Sequence, residues 1–405
     1  MKAYETSERY VGKVRECCNY SVRSAKKYLD EEDALHRQCG GEGVEQLRDR
    51  LQADLSGFTD TIDLQPISID KQTYVASNII NAVFMLISAA FAILAYYFLD
   101  YYTPIILAAL VFSTLALIAF FGGFGFTSKN VATANLFAVR KSNNAPSKRV
   151  ILQANLDAPN KRKLARKPEL IIKALTLLSI LLYMAFDIVE LLIFSETIHF
   201  TWDNKLIYLP FGLAVLAFLP FILTKTVAVN SSNLGVSDNL IGCYTACGAM
   251  RYLSEMDLHL ENTEFCVLLT DGKSSGNEGA KKFIKEYQEE LKATDTTFLC
   301  LDSIYDPDSL NLQAKGRKLN KVVDLAATNA GIMVTDHEPK YHKNEAKVFT
   351  KAGFNTVSVT TLPDTPPAFY RSDEDNQDTL NVHAVEAAIK FSLEFAYAKD
   401  AGTIA

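Results

Sequence analysis

The chain of 405 residues contains no Cys-x-x-C pair. Its seven cysteines, at positions 17, 18, 39, 243, 247, 266 and 300, are an odd number. They read as free thiols held in a reducing compartment. Excess positive charge is also missing: 41 Lys and Arg stand against 47 Asp and Glu, a net of −6. That balance leaves no basic footprint for nucleic acid, so no nucleic-acid partner is expected. Residues 1–70 are polar and charged, which excludes a cleavable signal peptide there. There is no internal repeat and no low-complexity segment. The length suits one large domain or two ordinary ones.

Charge itself is absent from long stretches. Hydrophobic residues make up 49% of a chain that still carries 22% charged residues, and the mean hydropathy is +0.05. The apolar residues are unevenly spread. Residues 75–99 and 104–126 hold no charged side chain, and each run exceeds the roughly 20 residues that cross a bilayer. The turn Asp100-Tyr-Tyr-Thr103 between them is hairpin-sized, with tyrosines suited to an interface. Residues 170–194 and 206–223 form a second apolar pair. Pro210 and Pro220 in the latter are tolerable in a membrane helix. Four transmembrane helices in two hairpins follow, with the lipid bilayer as a partner.

Lysine and arginine sort the two sides. The hairpin tips at 100–103 and 195–205 hold Lys205 alone. The opposite ends hold Lys71, Lys129, Lys161, Arg162, Lys163, Arg166, Lys167, Lys173 and Lys225. Positive-inside bias puts both termini and the globular part in the cytoplasm. Asp187 and Glu190 fall about 25 and 30 Å along the third apolar run at 1.5 Å per residue. That depth is close to the far interface, so solvation there is their expected role.

The remaining text reads as an α/β domain. Apolar spacing predicts helices over 14–29 and 42–55, separated by Gly40-Gly-Glu-Gly43. Strands are expected over 59–69, 129–141 and 148–157. After residue 227, strands at 265–269, 297–301 and 356–360 alternate with helices at 277–291, 319–330, 345–352 and 382–398. Continuous apolar strands between helices imply a doubly wound, mostly parallel sheet flanked by helices. The expected divisions are 1–70, N-terminal helices and first strand; 71–126, hairpin one; 127–168, further strands and a basic segment; 169–226, hairpin two; and 227–405, the rest of the α/β domain.

The stretch around which these parts are arranged is 233–252. It starts as a Gly-containing loop and becomes a helix with small and apolar residues at Leu240, Ile241, Cys243, Tyr244, Cys247 and Met250. Asp238 sits at the junction, where a carboxylate can cap the helix or hold a metal. Gly235-Val-Ser-Asp-Asn-Leu-Ile-Gly242 resembles the Gly-Ala-x-Asp-Asn-x-x-Gly segment of the di-zinc aminopeptidases, a family that includes glutaminyl cyclases and transferrin-receptor-type proteins. Four segments follow that family's pattern: Val150-Ile-Leu-Gln-Ala-Asn-Leu-Asp157, Val267-Leu-Leu-Thr-Asp-Gly-Lys-Ser-Ser-Gly-Asn-Glu-Gly-Ala280, Phe298-Leu-Cys-Leu-Asp-Ser303 and Tyr370-Arg-Ser-Asp-Glu-Asp375. The resemblance covers roughly residues 10–70, 130–158 and 228–400.

The resemblance implies a two-zinc exopeptidase fold, but the ligand positions are altered. The first family histidine falls on Asn155, with Asp157 retained beside it. The bridging aspartate falls on Asp238, and a later aspartate ligand on Asp302. The Glu-Glu pair that supplies general base and ligand falls on Lys273 and Ser274, and the late histidine on Arg371. A protonated lysine cannot accept a proton. Arginine puts a permanent cation where a ligand would point. Asp238 and Asp302 together carry about −2, and Lys273 and Arg371 about +2, so the expectation is charge compensation without metal. Glu278 and Glu374 do not repair the set. His337, His342 and His383 are read as surface or core residues rather than substitute ligands. The resemblance also implies a cis peptide at Asp238–Asn239, whose retention is left open.

The resulting reading is a membrane-anchored pseudo-peptidase that binds a peptide or protein partner and needs no cofactor. Two alternatives stay open. One is a working zinc hydrolase with an altered site. The other is a membrane transport or assembly factor with the globular part as regulator.

Overall fold

The computed structural model describes residues 10–30, 36–72, 74–121, 128–162, 166–195, 212, 215–224, 227–232, 234–308, 310–316, 319–333, 335, 339–342, 344–372 and 374–402. The chain divides into two units. One comprises residues 1–70, 130–160 and 231–405, and the other 71–129 and 161–230.

The larger unit is built on a seven-stranded sheet. Its strands are β1 (Thr61–Gln72), β2 (Ser128–Arg140), β3 (Lys148–Asn155), β6 (Thr263–Thr270), β7 (Asp295–Leu301), β8 (Asn311–Lys315) and β9 (Asn355–Thr360), in the spatial order β1-β2-β6-β3-β7-β9-β8. β6, β3, β7 and β9 run parallel at the centre. β2 and β8 pair antiparallel on either side of them. The sheet is therefore mixed, parallel only at its core. β4 (Asn160–Arg162) and β5 (Val227–Ser232) form a separate two-stranded ribbon.

Burial explains the central strands. Seven consecutive residues of β3, from Arg149 to Asn155, are buried, as a strand covered on both faces requires. Val150, Leu152 and Ala154 join one core, and Ile151 joins the other. The first core includes residues of α1 (Tyr10–Asp30), α2 (Glu42–Ser56), α7 (Ile241–Glu255), α9 (Leu319–Ala330) and α11 (Val382–Ala401). The second includes residues of α8 (Glu278–Lys292) and α10 (Ala346–Lys351). α7 is buried on nearly every side, which fits its small and apolar composition. α8 buries Phe283, Ile284 and Leu291 and keeps its lysines outward.

The chain winds from β3 through α7 to β6 on one side. It then returns through α8 to β7 on β3's other side. The winding reverses at β3, and the carboxyl ends of the strands at such a reversal are where open α/β sheets bind ligands.

The smaller unit contains α3 (Tyr74–Ala95), α4 (Tyr102–Phe120), α5 (Arg166–Phe194) and the short α6 (Leu219–Thr224). Three helical stretches, Asn78–Ala95, Leu99–Phe120 and Leu170–Phe194, are long and apolar enough to cross a membrane. The expected fourth span, 206–223, lies partly outside the described residues, at 206–211, 213 and 214, and its described part is not among these three stretches. All seven cysteines are buried.

One expectation fails here. Asp187 and Glu190 do not face solvent: they are 0% and 1% exposed. Ser113 Oγ donates to Asp187 Oδ2 at 3.0 Å. Tyr96 and Tyr102 donate to the two oxygens of Glu190. Depth along the helix could be counted from sequence, but the side chains packed around it could not.

Candidate functional site

The loop before α7 is shaped by two glycines. Gly235 has φ +60, and a Cβ there would lie 2.5 Å from Ala158 Cβ and 2.9 Å from Arg37 Nη2. Arg37 in turn donates to the Gly235 carbonyl at 2.6 Å. Gly242 leaves room for Asn239, whose Oδ1 would sit 2.1 Å from an added Cβ. The Asp238–Asn239 peptide is cis. Asp238 makes no helix-capping bond; the caps of this turn and of α7 carry none from side chains. Its carboxylate points instead to the strand ends.

Lys273, in the loop after β6, reaches the same place. Its Nζ donates to Asp238 Oδ1 at 2.9 Å and to Asp302 Oδ2 at 2.6 Å. The three side chains are 8%, 2% and 4% exposed. Burial opposes the charged amine, but Asp238 and Asp302 outweigh it and hold Lys273 above the ordinary lysine range. Burial would push Asp302 up. His342 and Lys273 together reverse this and hold its carboxyl well below the usual carboxylate range.

His342 completes the constellation. Its Nε2 lies 2.7 Å from Asp302 Oδ2, and its Nδ1 lies 3.0 Å from the Tyr370 hydroxyl. An ionised carboxylate only accepts, so Nε2 carries the proton and donates. Ser303 Oγ donates to the other oxygen of Asp302 at 3.3 Å.

Asn155 is turned into the scaffold. Its Nδ2 donates to the Asp157 carbonyl at 2.7 Å, and its Oδ1 accepts from Asn239 Nδ2 at 3.2 Å. Asp157 accepts from the backbone N–H groups of Lys273 and Ser274 at 3.0 and 2.8 Å. Ser274 itself is exposed, and both its backbone N–H and its side chain act on Asp157.

Arg371 departs from expectation. Among the described residues it forms no ion pair with Asp238 or Asp302. Its guanidinium lies 5.2 Å from the centre of the Tyr370 ring. Its Nε is buried without a hydrogen-bond partner. Burial disfavours its charge, yet Tyr370, Asp238 and Asp302 favour it more, and its pKa is raised. The cation therefore acts on the aspartates across a distance, not by contact.

Of the histidines, His383 lies on α11 beside Arg15, 3.1 Å away. His337 is outside the described residues. Glu278 pairs with Lys281 at 2.9 Å, and Glu374 is exposed. Several buried carboxyls escaped sequence reasoning. Glu345, just before α10, accepts from Gln153 Nε2 and Thr270 Oγ1, and burial pushes it up to about 8. Asp271 accepts from Gly40 N–H and the Thr133 hydroxyl, both at 2.8 Å. Burial and the charge of Asp157 push it up to about 7. Asp375 accepts from Ser237 N–H at 2.7 Å, and burial pushes it up to about 6. No local pattern marks Glu345 or Asp271. Tyr370 could have been found, because it directly precedes the residue at the late family position.

Solved structures share this architecture. A Zn-dependent exopeptidase from Parabacteroides distasonis superposes with a TM-score of 0.54 at 9% identity, covering 95% of this chain and 97% of that one. The chain resembles the zinc exopeptidases. Glutaminyl cyclase from Fimbriiglobus ruber gives 0.53 at 11% identity, covering 94% and 95%. The zinc aminopeptidase of Bacillus subtilis gives 0.53 at 9%, covering 93% and 94%. No protein-family model matches the sequence, and no curated protein does. Identities this low establish the fold and leave the chemistry to the residues.

Those residues do not fit two zinc ions. A two-metal site needs unprotonated nitrogen or carboxylate ligands around each ion. Here an ammonium holds the near oxygens of Asp238 and Asp302, and the Asn155 amide is spent on the scaffold. Cys39, Asp157 and Asp271 do bring one donor atom each within 4.8 Å of one another. Both oxygens of Asp157, however, already accept backbone N–H groups. Those of Asp271 accept from Gly272, Gly40 and Thr133.

Proposed function

We propose that this chain is a membrane-embedded pseudo-peptidase: a zinc-exopeptidase-like domain that binds a peptide or protein partner instead of hydrolysing one. The observation that carries this reading is Lys273, whose ammonium bonds both aspartates at the family's metal positions. Catalysis would need a base that can take a proton from water. Lys273 is held charged, and Glu345 is held by Gln153 and Thr270. His342 already donates to Asp302. Membrane embedding is supported by three apolar helices of spanning length. The lysine and arginine bias favours a cytoplasmic peptidase-like domain.

The test is zinc content and aminopeptidase turnover of the purified protein. Substoichiometric zinc after loading, with no turnover above buffer, is the expected result. Stoichiometric zinc, with turnover that a chelator abolishes, would overturn the proposal in favour of a hydrolase with an altered site.

A further inference from the structure

The smaller unit buries acidic and amide side chains where apolar packing would be cheaper. Asp187 and Glu190 lie on α5, three residues apart on one face. Asp187 accepts from Ser113 of α4 and Ser88 of α3. Glu190 accepts from Tyr96 and Tyr102. Among the described residues, hydroxyls are the only partners of the two carboxylates. Among the same described residues, no lysine, arginine or histidine pairs with either carboxylate.

A second observation adds groups beyond the acids themselves. Asp187 Oδ1, the Tyr183 hydroxyl and both side-chain polar atoms of Asn81 are buried with no hydrogen-bond partner. Tyr183 is 1% exposed and Asn81 0%. Tyr183 precedes Asp187 by one helical turn, so both side chains lie on one face of α5. Asn81 lies two turns before Ser88 on α3, again on a shared face. The Tyr183 hydroxyl thus lies on the helix face that carries the acids, while Asn81 sits about 10 Å along α3 from Ser88. Buried polar groups are ordinarily satisfied, and a cluster of exceptions implies something that fills them. A buried carboxylate without a counter-charge is costly, and ionisable side chains within membrane helices mark ion or proton sites.

We infer that Asp187 and Glu190 form a binding site for a small hard monovalent cation inside the helical unit, taken up either as a proton or as an alkali metal ion. The available donors are carboxylate and hydroxyl oxygens, the ligand type such ions prefer. The inference rests on the membrane reading of the helical unit but not on the loss of peptidase activity.

The test uses the full-length protein in liposomes and a hydrophobic carbodiimide, which modifies protonated carboxyls in apolar surroundings. Mass spectrometry should place the adduct on Asp187 or Glu190, and Asp187→Asn with Glu190→Gln should abolish it. Protection by Na+ at constant pH identifies an alkali ion. Protection by raised pH alone identifies a proton. Both outcomes support the site. Absence of an adduct on either residue between about pH 5 and 8, together with equal 22Na+ binding by parent and double variant, would overturn it. Resistance to alkaline extraction from membranes is measured in parallel. Its failure would refute the membrane reading separately.

Discussion

Replacing Lys273 by alanine should destabilise the peptidase-like unit strongly. The ammonium bonds Asp238 and Asp302 at 2.9 and 2.6 Å, with every participating side chain at least nine-tenths buried. Truncation removes the ammonium that bonds both carboxylates. Stranding a buried charge costs about 3–5 kcal/mol. For a unit of this size, about 2 °C of melting temperature follows each kcal/mol, so a fall of about 6–10 °C is expected. Near-UV circular dichroism of the purified protein reads the transition. Lys281→Ala, which removes an exposed lysine from an exposed pair, should melt within about 1 °C of the parent because such pairs contribute little. Adding Asp238→Asn and Asp302→Asn to Lys273→Ala should recover part of the loss, since the charges that were stranded are then gone. A Lys273→Ala protein that melts with the parent would refute the reasoning. So would a triple variant no more stable than the single one.

The same groups predict pH dependence and orientation. Glu345 has a folded pKa of about 8, above its unfolded value of about 4.3. Its protonated form is therefore favoured by the fold, and that stability is complete below about pH 4 and lost as pH rises to 8. Glu345→Gln should flatten this part of a denaturant-midpoint profile; an unchanged slope would exclude Glu345 as its source. Orientation can be read by impermeant thiol labelling of intact cells. Tyr101→Cys, 65% exposed at a helix junction, should label, and Met333→Cys, 84% exposed in the larger unit, should label only after lysis. The reverse pattern would place the globular unit outside.

Much of the fold was legible because its centre is written in continuous apolar strands. The run Val150-Ile-Leu-Gln-Ala became a strand buried on both faces, and the small residues of α7 became a helix buried all round. β8 was missed. Asn311-Leu-Gln-Ala-Lys315 is short, polar at alternate positions and placed at the sheet edge, so its sequence resembles a loop. The expectation of a mostly parallel sheet had to yield to a mixed one for a related reason: strand direction at an edge is set by connection path, which composition does not record. Asp187 and Glu190 failed differently. A helix periodicity gives the face and the depth of a residue but not whether Ser88, Ser113, Tyr96 and Tyr102 converge on it.

The site was legible in identity and only partly in arrangement. The sequence paired two aspartates with two cations as equals. In the structure one lysine contacts both aspartates, and Arg371 acts from behind Tyr370. His342, arriving from a loop with no family spacing to mark it, supplies the further donor that Asp302 needs. The other buried carboxyls are stabilised by separate means. Backbone N–H groups hold Asp157, the Ser237 N–H holds Asp375, and raised pKa values bring Asp271 and Glu345 toward neutrality near pH 7. A single added dication would therefore have to displace an ammonium bonded to two carboxylates at once. That is why Lys273, more than the altered Asn155 or Ser274, decides the chemistry of the site: the other two leave a ligand missing, whereas the lysine puts a competing charge in the ligands' grasp.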